Sequence, residues 1–430
     1  MRPFYERHKP WVWGGTWLLT RFAILSMVGF FSHSPSLEDV YLYKSWSDGM
    51  AADRHLPSGE LWQYPPGAAF LLIAPRLGLG LMSFGGAFVS TMLAFDLLAF
   101  GLIVSLARGE GRDTGVWVWL LAMPMLRAVP VLRFDLVGTT AAIGALLVIH
   151  RRPAWFGALA GLGAMVKVWP VVLLFGEWDW RRLLRAGLGA ALAIAVVFAA
   201  SAIAFHGDEL EFLGEQNGRG LQIEAVASLP WHLRQLVTGV PPHEVSRSGA
   251  AEIANGPSDL VAGLLEWATL AVLIGAAAWW RARANAIHGG RNELADAVVS
   301  RDFIFTVVLL LVVVSRVLSP QYLIWLFGLA AVTLCERRSR VARSAWLVIG
   351  AAFLTTAAYG PLGAWGEQPI YGSAFNLVVR NLALLVAATD ATLAMVLLLR
   401  RPASVDAETV PGDAVIDCRG ASAGLARTPR

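Results

Sequence analysis

Long apolar runs, separated by short segments rich in arginine or proline, recur along most of the chain. A helix needs about 20 apolar residues to cross the roughly 30 Å hydrocarbon core of a membrane. The pattern therefore predicts an all-α polytopic membrane protein with twelve transmembrane helices, two of which are short. The predicted spans are residues 11–31, 84–107, 115–129, 135–149, 154–167, 169–178, 186–205, 259–280, 302–318, 321–335, 345–361 and 375–399.

One further apolar run, 67–82, is interpreted differently. It is interrupted by Pro75 and carries Arg76 near its middle. An arginine at the centre of a span costs about 2.5–3.5 kcal/mol on insertion scales. We therefore predict that 67–82 is an interfacial helix rather than a span.

Basic residues orient the predicted helices. Arg2, Arg7 and Lys9 precede the first span, and arginine clusters follow several later spans. Cytoplasmic loops carry an excess of Lys and Arg, so both termini are predicted to be cytoplasmic. The resulting division is a cytoplasmic N-terminus 1–10, a transmembrane domain 11–400 with outer loops 32–83 and 206–258, and a polar tail 401–430 that is expected to be disordered.

The composition supports a membrane protein and limits other classes. Of the 430 residues, 56% are hydrophobic and 15% charged, whereas soluble domains carry about 25% charged residues. The net charge of +4 comes from arginines that flank spans, so it does not indicate nucleic-acid binding. Cys335 and Cys418 both fall on the predicted cytoplasmic side, so no disulfide is expected. No ligand pattern for zinc, haem or an iron–sulfur cluster is visible.

The first outer loop contains a second predicted interfacial helix, which starts at Asp39. Val40, Tyr43, Trp46 and Met50 recur at near-helical spacing, which predicts one apolar and aromatic face. Such a helix suits the membrane–water interface. Asp39 is either the N-cap of this helix or a catalytic residue, because aspartate is favoured at N-caps and is also used in general acid–base catalysis.

Charged and polar residues gather near the predicted outer ends of the spans, where such groups are costly and often functional. Arg133 and Asp135 form a local pair or cap a helix, or else act on a substrate. Lys167 either reaches outward to the membrane surface or contacts a phosphate. The tryptophans are expected to be interfacial or solvated, and the Gly- and Pro-rich loop 206–258 is expected to be loose. The candidate site residues are Glu38, Asp39, Tyr64, Arg133, Asp135, Lys167, Arg219, Gln222, Glu224, Arg316, Gln321 and Tyr322.

Several short motifs occur in a characteristic order along residues 11–400. They are Asp39 in a long first outer loop, Tyr64-Pro65-Pro66, Arg133-Phe134-Asp135-Leu136, the glycine-rich run 161–170 with Lys167 and Pro170, and Ser319-Pro320. In this arrangement the chain resembles the GT-C membrane glycosyltransferases, and within them family 87. The resemblance implies a GT-C fold, an inverting transfer of mannose from a polyprenyl-phosphate donor, and an envelope lipid or glycan acceptor at the outer face of the cell membrane.

The resemblance also implies roles for individual residues. Asp39 is expected to be the general base, with Glu38 beside it. Cations are expected to meet the lipid phosphate, and hydroxyl and amide groups to bind the sugar or acceptor. No nucleotide motif is present, and the lipid phosphate itself activates the sugar, so no cofactor is expected. The expected cations are Lys167, Arg219, Arg316 and Arg133, and the expected sugar contacts are Tyr64, Gln321 and Tyr322.

One departure from the family pattern and two alternative functions qualify this interpretation. Many family 87 proteins carry histidines shortly after the late Ser-Pro, where this chain has Gln321-Tyr322-Leu323. Twelve spans with charged outer residues also fit a transporter or lipid flippase, or a non-catalytic scaffold for envelope assembly. Charges at the outer edge rather than at the midplane, and the absence of an internal repeat, favour the enzyme.

Overall fold

The computed structural model describes residues 2–30, 35–215, 219–247, 249–358 and 371–400, which fold mainly into helices. Predictions for the tail 401–430, with Cys418, and for most of the loop 362–373 lie outside this range. The α-helices of the described part are α1 (Arg2–Phe30), α2 (Pro35–Asp53), α3 (Gly67–Ile73), α4 (Phe84–Glu110), α5 (Thr114–Ala122), α6 (Val129–Leu132), α7 (Asp135–Val148), α8 (Pro153–Ala164), α9 (Trp180–Ala204), α10 (Glu211–Glu215), α11 (Leu229–Thr238), α12 (Gly256–His288), α13 (Ala297–Val313), α14 (Tyr322–Cys335), α15 (Ala342–Ala358) and α16 (Tyr371–Arg400). Short 3-10 helices lie at Ala74–Gly78, Met123–Leu126, Trp169–Gly176, Val226–Ser228 and Asn292–Ala295.

The prediction of an all-α fold needs one correction. Strands β1 (Glu244–Arg247) and β2 (Ala250–Ile253) form an antiparallel hairpin in which Glu244 lies opposite Ile253. Both strands, together with α10 and α11, lie in the loop that was expected to be loose. Strands of four residues in a polar segment are too short to give a recognisable alternation of apolar and polar positions.

Four helices of the described chain are long and apolar enough to cross a membrane, which indicates a membrane protein. They are α4, α9, α12 and residues 374–400 of α16, and they coincide with four predicted spans. The other eight predicted spans are not confirmed. The predicted span 169–178, for example, is the 3-10 helix Trp169–Gly176. At about 2.0 Å per residue its eight residues rise roughly 16 Å, about half of the hydrocarbon core.

The first outer loop does form a helix, α2, but it begins at Pro35 rather than at Asp39 and its aromatic residues pack on protein, so an interfacial position is not confirmed. Val40, Tyr43 and Met50 are at most 5% exposed. The Tyr43 ring lies 5.4 Å from that of Phe88 in α4 and 5.3 Å from that of Phe134. Burial of this face holds α2 against the helix bundle. It thereby also sets where the polar side chains at the other positions of α2 lie.

A small ion cluster joins the two helical segments of this loop. The carboxylate of Asp48 in α2 forms two ion pairs. One oxygen lies 2.5 Å from Lys44 Nζ, and the other lies 2.5 Å from Arg76 Nη1 in the 3-10 helix Ala74–Gly78. Arg76 therefore interrupts the apolar run for a structural reason, because it ties this segment to α2.

A buried ion pair joins α1 to α4. Arg21 is 3% exposed and makes two hydrogen bonds with Asp96, at 2.8 Å and 2.7 Å. The indole of Trp17 donates a further hydrogen bond of 2.6 Å to Asp96. The pair accounts for an arginine within the first apolar segment, since its charge is neutralised between the two helices.

Glycines allow α8 and α9 to approach each other closely. A Cβ atom added at Gly157 would lie 1.7 Å from the backbone oxygen of Ala186, and one at Gly161 would lie 2.6 Å from that of Ala190. These backbone contacts leave no room for a side chain at either position of α8, so the two helices pack through their main chains there.

We expect Gly157→Ala to destabilise the fold by about 1–3 kcal/mol, because the added methyl group would overlap with α9. Gly187→Ala is a matched control, since a Cβ atom there meets nothing within 4 Å. The control is expected to be neutral or slightly stabilising. Thermal unfolding of both variants in detergent measures the difference, and equal melting temperatures would contradict the close packing.

Helix α14 forms the centre of the bundle and packs against α5, α7, α13 and α15. Its residues from Leu323 to Cys335 are all buried. At Gly328 the helix comes so close to α7 that a Cβ atom would lie 2.4 Å from the side chain of Thr139. This packing holds the first turn of α14 beside the first turn of α7, and a polar cavity lies next to these two turns.

Candidate active site

A cavity of about 320 Å³ lies among α2, the loop before α3, the segment between α6 and α7, the turn after α8 and residues 315–325. Its wall combines positive groups, aromatic rings and one carboxylate, that of Asp39. Eight of the twelve predicted site residues lie on this wall: Asp39, Tyr64, Arg133, Lys167, Arg219, Arg316, Gln321 and Tyr322.

Asp39 is ion-paired with Arg133 on the cavity wall. Helix α2 begins at Pro35, so Asp39 lies one turn inside it and is not its N-cap. Burial raises the pKa of Asp39, and Arg133 partly offsets this shift. A raised pKa makes the carboxylate a better proton acceptor than an ordinary aspartate, while the guanidinium favours its ionised form.

Both structural readings of Arg133 and Asp135 are wrong. The two residues do not pair with each other, because Arg133 contacts Asp39. Asp135 is the first residue of α7, whose N-cap position is Phe134 without a side-chain capping bond. Asp135 is instead 1% exposed and accepts a hydrogen bond of 2.8 Å from the Trp325 indole. It lies behind the cavity wall, so it does not line the space that a substrate would occupy.

Lys167 points into the protein rather than outward to a membrane surface. Its Nζ atom lies 3.4 Å from Asp135 Oδ1. The ammonium group also lies 4.8 Å from the ring centroid of Tyr64 and 5.3 Å from that of Phe134. Burial is the largest influence and lowers the pKa of Lys167, but Asp135, Tyr64 and Tyr322 together outweigh it and the net shift is upward. The side chain therefore presents a positive charge on the cavity wall.

Three aromatic rings form a column on one side of the cavity. Trp325 stacks on Trp169 with 5.3 Å between ring centroids and on Tyr322 with 4.1 Å. The expectation that the tryptophans are interfacial or solvated is wrong for these two, which line the cavity. One signal was available, because Trp325 lies three residues after Tyr322 and therefore on the same face of a helix.

Two further arginines complete the positive wall. Arg316 makes a contact of 2.6 Å with Glu266 of α12, and its side chain is 17% exposed. Arg219 also lines the cavity. Four cations thus surround a space that also holds the Asp39 carboxylate, which suits a substrate with a negatively charged phosphate.

Three predicted site residues have other neighbours. Glu38 is exposed and adjoins Asp39, and its charge contributes to raising the pKa of Asp39. Gln222 accepts a hydrogen bond of 2.8 Å from the backbone of Leu318. Glu224 is ion-paired with Arg380 of α16 at 3.2 Å. Gln222 and Glu224 therefore hold the segments that carry Arg219 and Arg316, and the structure does not bring them to the cavity. Within the described residues, no group of three or more His, Cys, Asp or Glu side chains could hold a metal ion.

A comparison with protein families classifies the chain. The family model described as glycosyltransferase family 87 matches residues 62–300, more than half of the chain. The chain belongs to glycosyltransferase family 87. The matched range contains Tyr64, Arg133 and Lys167, whereas Asp39 precedes it and Arg316 follows it. Comparisons with curated proteins and with solved structures give no significant match.

Proposed function

We propose that this family 87 glycosyltransferase moves a hexose, expected to be mannose, from a polyprenyl-phosphate donor to a hydroxyl group of an envelope lipid or glycan. The reaction takes place at the outer face of the cell membrane, with both termini in the cytoplasm. One observation carries the proposal: the Asp39 carboxylate and four cationic side chains line a single cavity of about 320 Å³. This combination supplies a proton acceptor and a phosphate site without a nucleotide motif.

In the proposed reaction Asp39 accepts the proton of the acceptor hydroxyl while the hydroxyl oxygen forms a bond to the anomeric carbon. The bond between that carbon and the phosphate oxygen breaks, and its electron pair leaves with the polyprenyl phosphate. A single displacement of this kind inverts the configuration at the anomeric carbon. The contact with Arg133 keeps the carboxylate ionised before the proton is transferred.

The leaving phosphate gains negative charge as its bond to the sugar breaks. Cations placed where charge develops lower the free energy of the transition state. Lys167, Arg219 and Arg316 are the proposed phosphate contacts, and Arg133, which pairs with Asp39 on the same wall, is a further candidate. Tyr64, Gln321 and Tyr322 lie on the same wall and are proposed to bind sugar hydroxyls. Gln321 and Tyr322 occupy positions where many family 87 proteins carry histidines.

A transfer assay tests the proposal. Purified enzyme in lipid nanodiscs or proteoliposomes is incubated with radiolabelled polyprenyl-phosphate hexoses and with envelope glycolipids. We expect label to appear in the acceptor with release of polyprenyl phosphate, and the mannose donor to be preferred. Movement of the intact lipid across the membrane without bond cleavage would instead support a flippase. No transfer from any donor would overturn the proposed donor class.

Substitution of Lys167 tests the phosphate site. Lys167→Gln removes the charge but still donates a hydrogen bond toward Asp135. A hydrogen bond to a charged group contributes about 1.5–3 kcal/mol, so we expect the KM for the donor to rise about tenfold to a hundredfold. Lys44→Gln is the control, because Lys44 is exposed and pairs with Asp48 on the outside of α2. Unchanged donor kinetics in Lys167→Gln would leave Lys167 with a structural role only.

A further inference from the structure

We infer that Asp135 is a positioning residue that holds the Lys167 ammonium group and the Trp325 ring where they face the donor, rather than a substrate contact. The inference rests on the proposed function, because Lys167 is taken to bind the donor phosphate. In this role Asp135 affects the reaction only through Lys167 and Trp325.

The geometry assigns this role to one carboxylate oxygen. Asp135 Oδ1 accepts the Trp325 Nε1–H hydrogen bond at 2.8 Å and lies 3.4 Å from Lys167 Nζ. Asp135 is 1% exposed and does not line the cavity, whereas both of its partners do. A substrate in the cavity therefore meets Lys167 and Trp325 but not the carboxylate behind them.

A carboxylate suits this position for two reasons. Burial of a charge is costly unless the charge is paired and hydrogen-bonded, and Asp135 has both kinds of partner. It is also the first residue of α7, where the free backbone N–H groups of a helix favour a negative charge. A neutral amide would still accept the indole hydrogen bond, but it would leave Lys167 without a counter-charge.

The groups around Lys167 show what depends on Asp135. The rings of Tyr64 and Phe134 lie against the ammonium group. Burial and Arg133 lower the pKa of Lys167, while Asp135, Tyr64 and Tyr322 raise it, with Asp135 as the largest of these three. Without the Asp135 charge, the pKa of Lys167 falls, so the ammonium form that attracts a phosphate is lost at a lower pH.

The second partner links Asp135 to the aromatic column. The Trp325 ring stacks on both Trp169 and Tyr322. The hydrogen bond to its Nε1 atom fixes the rotation of the indole within this stack. The same carboxylate thus sets the distance between the positive charge and the aromatic column of the cavity.

The titration of Lys167 can be measured directly, because the chain contains only three lysines, Lys9, Lys44 and Lys167. Lysine labelled with ¹³C at Cε gives three NMR signals in detergent, which Lys9→Arg and Lys44→Arg assign. We expect Asp135→Asn to lower the titration midpoint of Lys167 by about 1–3 pH units. Asp113→Asn is the matched control, since Asp113 pairs with Lys9 at 3.2 Å. It should leave the Lys167 midpoint unchanged.

Kinetics then separate positioning from mere structural support. We expect Asp135→Asn to raise the KM for the donor about tenfold, with a smaller loss in kcat, and to move the alkaline limb of activity to lower pH. Asp135→Glu, which keeps the charge, should restore much of both. If Asp135→Asn folds and leaves the Lys167 midpoint and the pH profile unchanged, the inference is overturned. The NMR result does not depend on transfer, so a failure of the proposed function would show separately, as a wild-type enzyme without activity on the donor.

Discussion

Replacement of Asp39 by asparagine is expected to lower the rate of sugar transfer by about 10²–10⁴-fold or more, the range that general base catalysis contributes. Asparagine has nearly the same shape but cannot accept the proton of the acceptor hydroxyl. The neighbouring Arg133 keeps a hydrogen-bond acceptor, so the variant is expected to fold. Single-turnover transfer from a labelled donor, with binding of the donor measured in parallel, checks the result.

Glu38→Gln provides the matched control for this substitution. Glu38 is the adjacent acid on the same helix, but it is exposed and lies off the cavity wall. We expect Glu38→Gln to keep most of the activity, with its acid limb moved to slightly lower pH because Glu38 raises the pKa of Asp39. Near-normal turnover of Asp39→Asn, or a larger loss in Glu38→Gln, would show that the base is a different residue.

The largest effect on stability is expected at the buried ion pair between α1 and α4. Asp96→Asn leaves the Arg21 guanidinium, which is 3% exposed, without a counter-charge. Removal of one partner of a buried pair typically costs about 3–5 kcal/mol. Unfolding of the purified protein in mixed detergent and SDS measures this change in the free energy of unfolding.

Two comparisons make the measurement specific. Asp48→Asn removes a carboxylate that also contacts two cations, but the Asp48 side chain is 46% exposed, so we expect a loss below about 1 kcal/mol. The double variant Arg21→Leu with Asp96→Leu removes both charges and should recover much of the loss. A cost for Asp96→Asn no larger than that for Asp48→Asn would contradict a structural role of the pair.

The sequence singles out residues that line one cavity in the structure, but it does not reveal how they pair. The periodic aromatic residues of α2 predict its helix, and the rarity of charge near the apolar runs singles out Asp39, Arg133 and Lys167. Their partners depend on contacts between distant segments. Lys167 pairs with Asp135 and Arg133 with Asp39, although the spacing along the chain instead favours a pair between residues 133 and 135. Such contacts follow from how the helices pack, which local periodicity does not encode.

The limits of the span prediction have a similar cause. Length and hydropathy identify a helix such as α4, whose 27 residues exceed the bilayer requirement. They do not reveal that Pro170 opens a 3-10 segment in place of a span, or that α14 is an apolar helix of 14 residues buried by its neighbours. An apolar run of that length indicates that the segment is buried. Its amino-acid composition does not show whether it is buried by other helices or by lipid.

The order in which the cavity wall appears along the chain has a consequence for biosynthesis. Asp39 belongs to the first part of the wall to leave the ribosome, and Trp325 to the last. More than 280 residues separate them, and the closing segment is held in place by α14 at the centre of the bundle. The nascent polypeptide therefore carries Asp39, the proposed proton acceptor, into the membrane long before the cavity wall is complete, and the wall closes only after the late helices have been inserted.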